Sequence, residues 1–475
     1  LVGGEEMKKH GKVFYFIIIC SLVFGIMVAN HLIQGRFAKI SDSSEPINSR
    51  VVLSGTSAFD KKYAKWALQD DFKMLQNLVE SNHPKLYTDV NRLLELYSSQ
   101  YDLIEDGMTE LQFFRLLSPI VSVLNCGHTS INLSSEYQRQ SATEGKFFPL
   151  PLRFIDNRAY IVQNESAKNI PLGSELISIN GRPIQEIIET LFDNISADGQ
   201  NQTRKVLFLN DLFGNLYKNY IDNFGFFEIT YRTPMGTTST SHVEGVTQTE
   251  LRNIYTPPYL NRTAPYQSEF YEKYAVLTLY TFSPSGGYSL NDFESFIDTF
   301  FEQCSQKKIE NLILDVRNNG GGDPRVASHL FSYLEKKEQP YFSATTPNYY
   351  TGLKDPIPFA RNHYDHALYV LMNGGSFSTS GHILALLKSQ NVGVFIGEES
   401  GGSYACTDSS KDFVLTHTKI QFRSSTQKWE VAAEGLIPGR GIIPDFEVIQ
   451  TIEEYLYQKK DIVKQFAIDK IYEIK

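Results

Sequence analysis

Cysteine is scarce in this chain: four residues in 475, Cys20, Cys126, Cys304 and Cys406. Their spacing fits no metal finger, and four are too few for a disulfide scaffold. Whether Cys126 and Cys406 pair stays open. A surplus of positive charge is also missing. Forty-five Lys and Arg stand against 54 Asp and Glu, a net charge of −9, which excludes nucleic acid as a general partner. There is no internal repeat and no low-complexity tract, so a solenoid or a disordered array is excluded. What remains is an ordinary hydrophobic content of 41% and enough length for two to three domains, each with its own core.

The N-terminus has a long apolar run. After Met7, the basic "KKHGK" precedes "VFYFIIICSLVFGIMVAN", residues Val13 to Asn30; the six residues before Met7 read as a translation-start artefact. A basic flank followed by an apolar run is a signal peptide or an uncleaved anchor. The run approaches the length that spans a bilayer, and "MVAN" is a poor cleavage site, so a membrane anchor is expected. Cys20 follows "III" and does not look like a lipoprotein cysteine. Either way the rest of the chain is expected outside the cytoplasmic membrane, on the periplasmic or cell-surface side.

Residues 60 to 125 read as helical, with apolar residues at three- and four-residue spacing up to Pro84 and again from Met108 to Asn125. "FFPLPLRFIDNRAYIVQN" alternates like two strands joined at Asp156-Asn157, and "GSELISINGRPIQEII" reads as a strand, an Asn180-Gly181 turn and a short helix. A closing strand, "FGFFEITYRT", is followed by what reads as a polar linker, "PMGTTSTSHVEGVTQTE". From about Tyr271 strands and helices alternate, and the strands are near-continuously apolar. That pattern means a mostly parallel sheet covered by helices, whose functional groups collect where strands give way to helices.

Two such junctions stand out. "LDVRNNGGGD", Leu314 to Asp323, places three glycines after a strand, free to bring backbone N–H groups close to a ligand. An anion cradle or oxyanion hole and a plain glycine-rich turn both fit. A P-loop does not, because no Lys-Ser/Thr follows the glycines. The second junction is "NGGSFSTSGH", Asn373 to His382, with three serines and a threonine at the start of a helix. One hydroxyl suffices to cap a helix, which leaves others for chemistry. A serine nucleophile needs a base within hydrogen-bond reach. His382 lies four residues after Ser378, and His128 in "LNCGHTSINLS" follows a glycine turn; either is as readily a structural histidine.

"LILDVRNNGGG", "NGGSFSTSGHILALLKSQNVGVFIGEESGG" and "GIIPDFEV" together resemble the C-terminal processing peptidases, or tail-specific proteases, of serine peptidase family S41. The resemblance covers residues 265 to 450 and extends to "GSELISINGRPIQEII", which looks like the end of a PDZ-like domain, and to "CGHTSINL". It implies an α/β, crotonase-like peptidase core with Ser378 as nucleophile. The Ser-Lys branch of the family is disfavoured, since its lysine position in "GEESGGSY" holds Ser403. The branch similar to the tricorn core implies His128 as base and, through the acidic residue before the final motif, Glu434 as its partner. It also implies an oxyanion hole from the N–H groups of Gly321 (or Gly322) and Thr379, with no metal and no cofactor.

The expected organisation is an anchor and linker over 1–48, a helical domain carrying the CGHT motif over 49–145, a PDZ-like peptide-binding domain over 146–250, and a peptidase core over 255–475. The expected function is an exported serine endopeptidase acting on peptides or unfolded proteins. A non-catalytic peptide-binding relative is the alternative.

Overall fold

The computed structural model describes residues 57–165, 167–458 and 460–473. The apolar run at 13–30, and with it the expected anchor, lies outside them. Among the described residues no helix is long and apolar enough to cross a membrane.

The architecture is mixed α/β. Its largest core is built on a six-stranded sheet in the order Tyr266–Phe270, Ala275–Leu279, Asn311–Asp315, Ala367–Met372, Val394–Gly397, Phe446–Glu447. The first pair is antiparallel and the other four pairings are parallel. Alternation along each strand decides what covers each face. Leu277, Leu312, Leu314, Leu368 and Val370 pack with Phe293 and Ile297 of the helix Leu290–Lys307, Val326 and Leu330 of Pro324–Leu334, and Ile383 and Leu387 of Thr379–Ser389. Their neighbours Val276, Ile313, Tyr369 and Leu371 face the other way, onto Ala467 and Ile471 of the terminal helix Ile462–Glu473. Burial on both faces explains why these strands read as continuous apolar runs.

A second sheet is antiparallel and runs Leu152–Ile155, Arg158–Ile161, Glu175–Ile179, Phe226–Arg232, Thr238–Glu244. The two turns expected from sequence are present, with Asp156, Asn157 and Asn180 at φ 48°, 60° and 50°, conformations that Asn and Asp tolerate. The polar segment after the closing strand is not a linker. Its Thr and Ser residues form the edge strand Thr238–Glu244, paired residue by residue with Phe226–Arg232. Only Val243 of that strand is buried, so it carries the polar side chains of a solvated edge. The helices Ile184–Phe192 and Thr203–Leu216 close this core.

The helical segment comprises Lys65–Asn82, Val90–Asp102, Glu110–Ser122 and Ser135–Glu144. It does not complete its own core. Leu415, Ile420 and Phe422 enter it from a hairpin more than 250 residues downstream formed by Lys411–Val414 and Gln421–Ser424, whose second strand pairs with Ser130–Asn132. Buried Asp71 fixes the hairpin's turn, accepting from His417 N (2.9 Å), Thr418 N (2.8 Å) and Thr418 Oγ1 (2.7 Å). This clasp positions the segment that carries His128.

Candidate active site

The parallel strands deliver their chain ends to one edge, and both glycine-rich junctions meet there. Ser378 stands between the strand Ala367–Met372 and the helix Thr379–Ser389, at φ 57° and ψ −123°. That backbone conformation costs a non-glycine residue roughly 1–3 kcal/mol and persists only where its surroundings enforce it. Here they do. A Cβ at Gly321 would lie 2.8 Å from Ser378 Cβ, and one at Gly402 would lie 2.7 Å from Ser378 N. Asn373 adds its side chain, accepting from Asn318 N and Gly375 N at 2.9 Å each.

The four hydroxyls divide their tasks. Ser376 donates to Val316 O (2.8 Å) and accepts from Asn373 N (3.2 Å). Thr379 donates to Gly322 O (2.6 Å), and Ser380 is fully buried with no hydrogen-bond partner among the described residues. Ser378 makes no capping bond to its helix; its Oγ lies 3.0 Å from His128 Nε2. The hydroxyl sits at the positive end of the helix, where developing negative charge is favoured.

His128 arrives from the neighbouring segment. Its ring lies on Phe377, centroids 4.6 Å apart, and Gly127 makes this approach possible, since a Cβ there would fall 2.6 Å from the Phe377 ring. The preceding Cys126 is a free, buried thiol 2.9 Å from Thr407 Oγ1 and 3.2 Å from Ser425 Oγ, which ties the motif to the strand Ala405–Asp408 and its neighbour. Cys406 is also free and does not pair with it. His382 is placed elsewhere: it is buried, with Nε2 3.5 Å from Cys406 Sγ, and burial pushes its pKa down to about 3.

Two sequence expectations are not met by the geometry. Glu434 is exposed, and the hydrogen bonds and ion pairs of His128 within the described residues do not include it. The reason is local: the loop 434–439 carries Glu434 on its solvent side and packs inward through half-buried Leu436 and buried Gly439. The N–H of Gly321 is already engaged by Asn319 Oδ1 at 3.0 Å, so it is not free for an oxyanion. Among the described residues, no side chain or loop carbonyl engages Gly322 N or Thr379 N. They are the donors that remain.

Two acids that sequence reasoning missed stand at the histidine. Asp408 Oδ2 lies 3.8 Å from Nε2. Asp198, almost fully buried, accepts from Gly127 N at 2.7 Å. The Asp-Gly pair at 198–199 marks a turn in the sequence, but nothing there relates it to His128. Cys126 Sγ, a His128 ring nitrogen and an Asp198 oxygen lie within 4.8 Å of one another, ligand types that hold zinc. Burial raises the pKa of the Cys126 thiol, which works against the thiolate that a metal would require.

The model of peptidase family S41 matches residues 273–448. Among solved structures, mature CPAF complexed with lactacystin superposes with a TM-score of 0.62 at 16% identity, covering 86% of this chain and 98% of that one. Mature CPAF without that addition gives 0.61 at 16% identity, covering 86% and 96%. The photosystem II D1 C-terminal processing protease is more distant, with a TM-score of 0.42 at 14% identity over 80% and 93%. No curated protein matches the chain. At these identities the likeness to CPAF establishes the shared fold, and over residues 273–448 the chain matches peptidase family S41, the family its sequence resembles.

Proposed function

We propose that the chain is a serine endopeptidase that cleaves extended polypeptides through an acyl-enzyme. The observation that carries this reading is the 3.0 Å approach of His128 Nε2 to Ser378 Oγ between residues 250 positions apart, within a chain whose core matches a peptidase family. As Ser378 Oγ attacks the peptide carbonyl, its proton passes to His128 Nε2. The tetrahedral oxyanion forms beside Gly322 N and Thr379 N. The imidazolium then protonates the leaving amine, and water, deprotonated by the same ring, releases the acyl group. A positioned base supplies about 10²–10⁴ in rate, and each oxyanion donor about 10²–10³.

The antiparallel sheet and its helices, the region that resembles a PDZ-like domain in sequence, supply the expected peptide-capture element, by strand addition at a sheet edge. The alternative, a non-catalytic peptide binder, draws on Ser403 at the lysine position. It lacks an account of a strained serine held against a histidine. A fluorophosphonate probe separates the two readings: it should label Ser378, and Ser378→Ala should abolish both labelling and peptide hydrolysis with the fold retained. An unlabelled wild-type protein, or full activity in the variant, overturns the proposal.

A further inference from the structure

Resting on the Ser378–His128 reading above, we infer that Asp198 is the positioning residue of the base, holding the Nδ1–H of His128 in the role that the sequence resemblance gave to Glu434. Among the described residues, the buried polar atoms without a hydrogen-bond partner include both His128 Nδ1 and Asp198 Oδ2. Buried polar atoms rarely go unpaired, because each orphan costs about 1–3 kcal/mol. These two belong to side chains whose ligand-type atoms lie within 4.8 Å. A hydrogen bond between them would satisfy both.

The carboxylate is well anchored for this task. Its other oxygen accepts from Gly127 N, next to the histidine it would orient. Its loop is tied on every side: Gly199 N donates to Asn125 O (3.0 Å), Gln200 N to Gly439 O (2.8 Å), and Asn201 Nδ2 to Ser400 O (2.7 Å). Gly199 sits at φ 58° with its Cα so close to Gly439 that a Cβ would fall 2.2 Å from Gly439 O. The turn inward that leaves Glu434 in solvent is therefore the same turn that seats the Asp198 loop.

The electrostatics fit a group that works when the histidine is charged. Burial raises the pKa of Asp198, while His128, the Gly127 N–H and Arg204 oppose the rise and Asp408 adds to it. Its anion is favoured most when His128 carries the second proton, which is the state that forms as Ser378 attacks. With Nδ1 protonated toward Asp198, Nε2 is left with its lone pair toward Ser378 Oγ, the tautomer that general-base catalysis requires.

Asp198→Asn tests this directly. An asparagine keeps an acceptor for Gly127 N–H, but toward Nδ1 it presents an amide in place of an anion. In that variant kcat should fall by about 10²–10⁴, with KM little changed and fluorophosphonate labelling slowed in parallel. The pH midpoint of activity should move down, since the imidazolium loses its counter-charge. Asp198→Glu should recover part of the rate. Nitrogen NMR of His128 in the unmodified protein gives a reading that no folding defect can confuse: the neutral ring should carry its proton on Nδ1. A ring protonated on Nε2, or an Asp198→Asn protein with unchanged kcat and pH midpoint while Ser378→Ala is inactive, overturns this inference alone. Activity surviving in Ser378→Ala would instead overturn the reading on which it rests. Loss of activity in Glu434→Gln with Asp198→Asn intact would return the role to Glu434.

Discussion

The two halves of the candidate site are built in opposite ways. The nucleophile half is local: a strand end, two glycine-rich turns and a helix start, all within the segments 315–323, 373–382 and 400–403, with close contacts that fix Ser378 in a strained backbone. The base half is borrowed. His128 stands where it does because a hairpin at 411–424 pairs with the strand after it and because Cys126 and Gly127 are gripped by residues from three distant segments. A local half should fail only when its own atoms are changed. A borrowed half should fail when its distant supports are changed.

Loss of the proposed nucleophile is the largest effect expected: Ser378→Ala removes the proposed reacting atom, so hydrolysis should fall to background while thermal unfolding is little changed. Next comes the contrast between the histidines. His128→Ala should lower kcat by at least about 10², whereas His382→Ala should act on stability. The sign for His382 follows from its lowered pKa, about 3 against an ordinary value near 6.5. As pH falls through 6.5 the unfolded chain takes up this proton and the folded protein does not, so stability is lost progressively from about pH 6.5 down to about 3. Urea midpoints at pH 7 and pH 5 for wild type and His382→Ala would check it. The wild type should lose on the order of 2 kcal/mol more than the variant over that interval. Equal losses would show that the buried ring is not what titrates, and a collapse of kcat in His382→Ala alone would reassign the base.

The clasp is where the two halves can be told apart from a distance. Asp71→Ala leaves the N–H groups of His417 and Thr418 and the Thr418 hydroxyl without their acceptor, a cost of about 1–3 kcal/mol for each group left both buried and unpaired, as those of Thr418 would be. The thermal midpoint should drop. Residual folded protein should also turn over more slowly, because a displacement of the base by about 1 Å can cost on the order of 10² in rate. Activity per folded molecule, read by circular dichroism and initial rates together, decides the matter. An unchanged midpoint would mean that the hairpin is not held by Asp71.

What could be read from the sequence follows the same division. The core sheet was legible because its strands are apolar on both faces and alternate with helices, and the strand–turn–helix junction at 373–382 was legible as a compact local signature, but the choice of Ser378 among its hydroxyls came from the family resemblance. His128 became a candidate base through its resemblance to a family motif, since one histidine after a glycine carries no periodic signal. The edge strand Thr238–Glu244 was misread as linker because a strand with one buried residue, Val243, has no apolar alternation to show. Asp198 was invisible for a deeper reason. Its relation to His128 depends on three-dimensional closure of the 198–201 loop against Gly439 and Ser400, and no short window of sequence contains both partners.

The smallest effect expected lies one residue beyond the nucleophile's neighbour. Ser380 is fully buried, and its Oγ has no hydrogen-bond partner among the described residues, although it occupies the first turn of the helix where hydroxyls usually serve as caps. An unpaired hydroxyl in such a place contributes desolvation cost without a bond to offset it. Ser380→Ala removes that cost and leaves no cavity larger than an oxygen atom, in a helix where alanine is the favoured residue. The variant should be as stable as wild type or more stable by up to about 1 kcal/mol, with kcat unchanged. Ser376→Ala, by contrast, breaks the bonds to Val316 O and Asn373 N that brace the turn before Ser378, and should lose about 1 kcal/mol or more. Denaturation of the two variants side by side checks the difference. If Ser380→Ala is the more damaging of the pair, that hydroxyl has a bonding role within the nucleophile half, and the local braces of Ser378 extend into the helix itself.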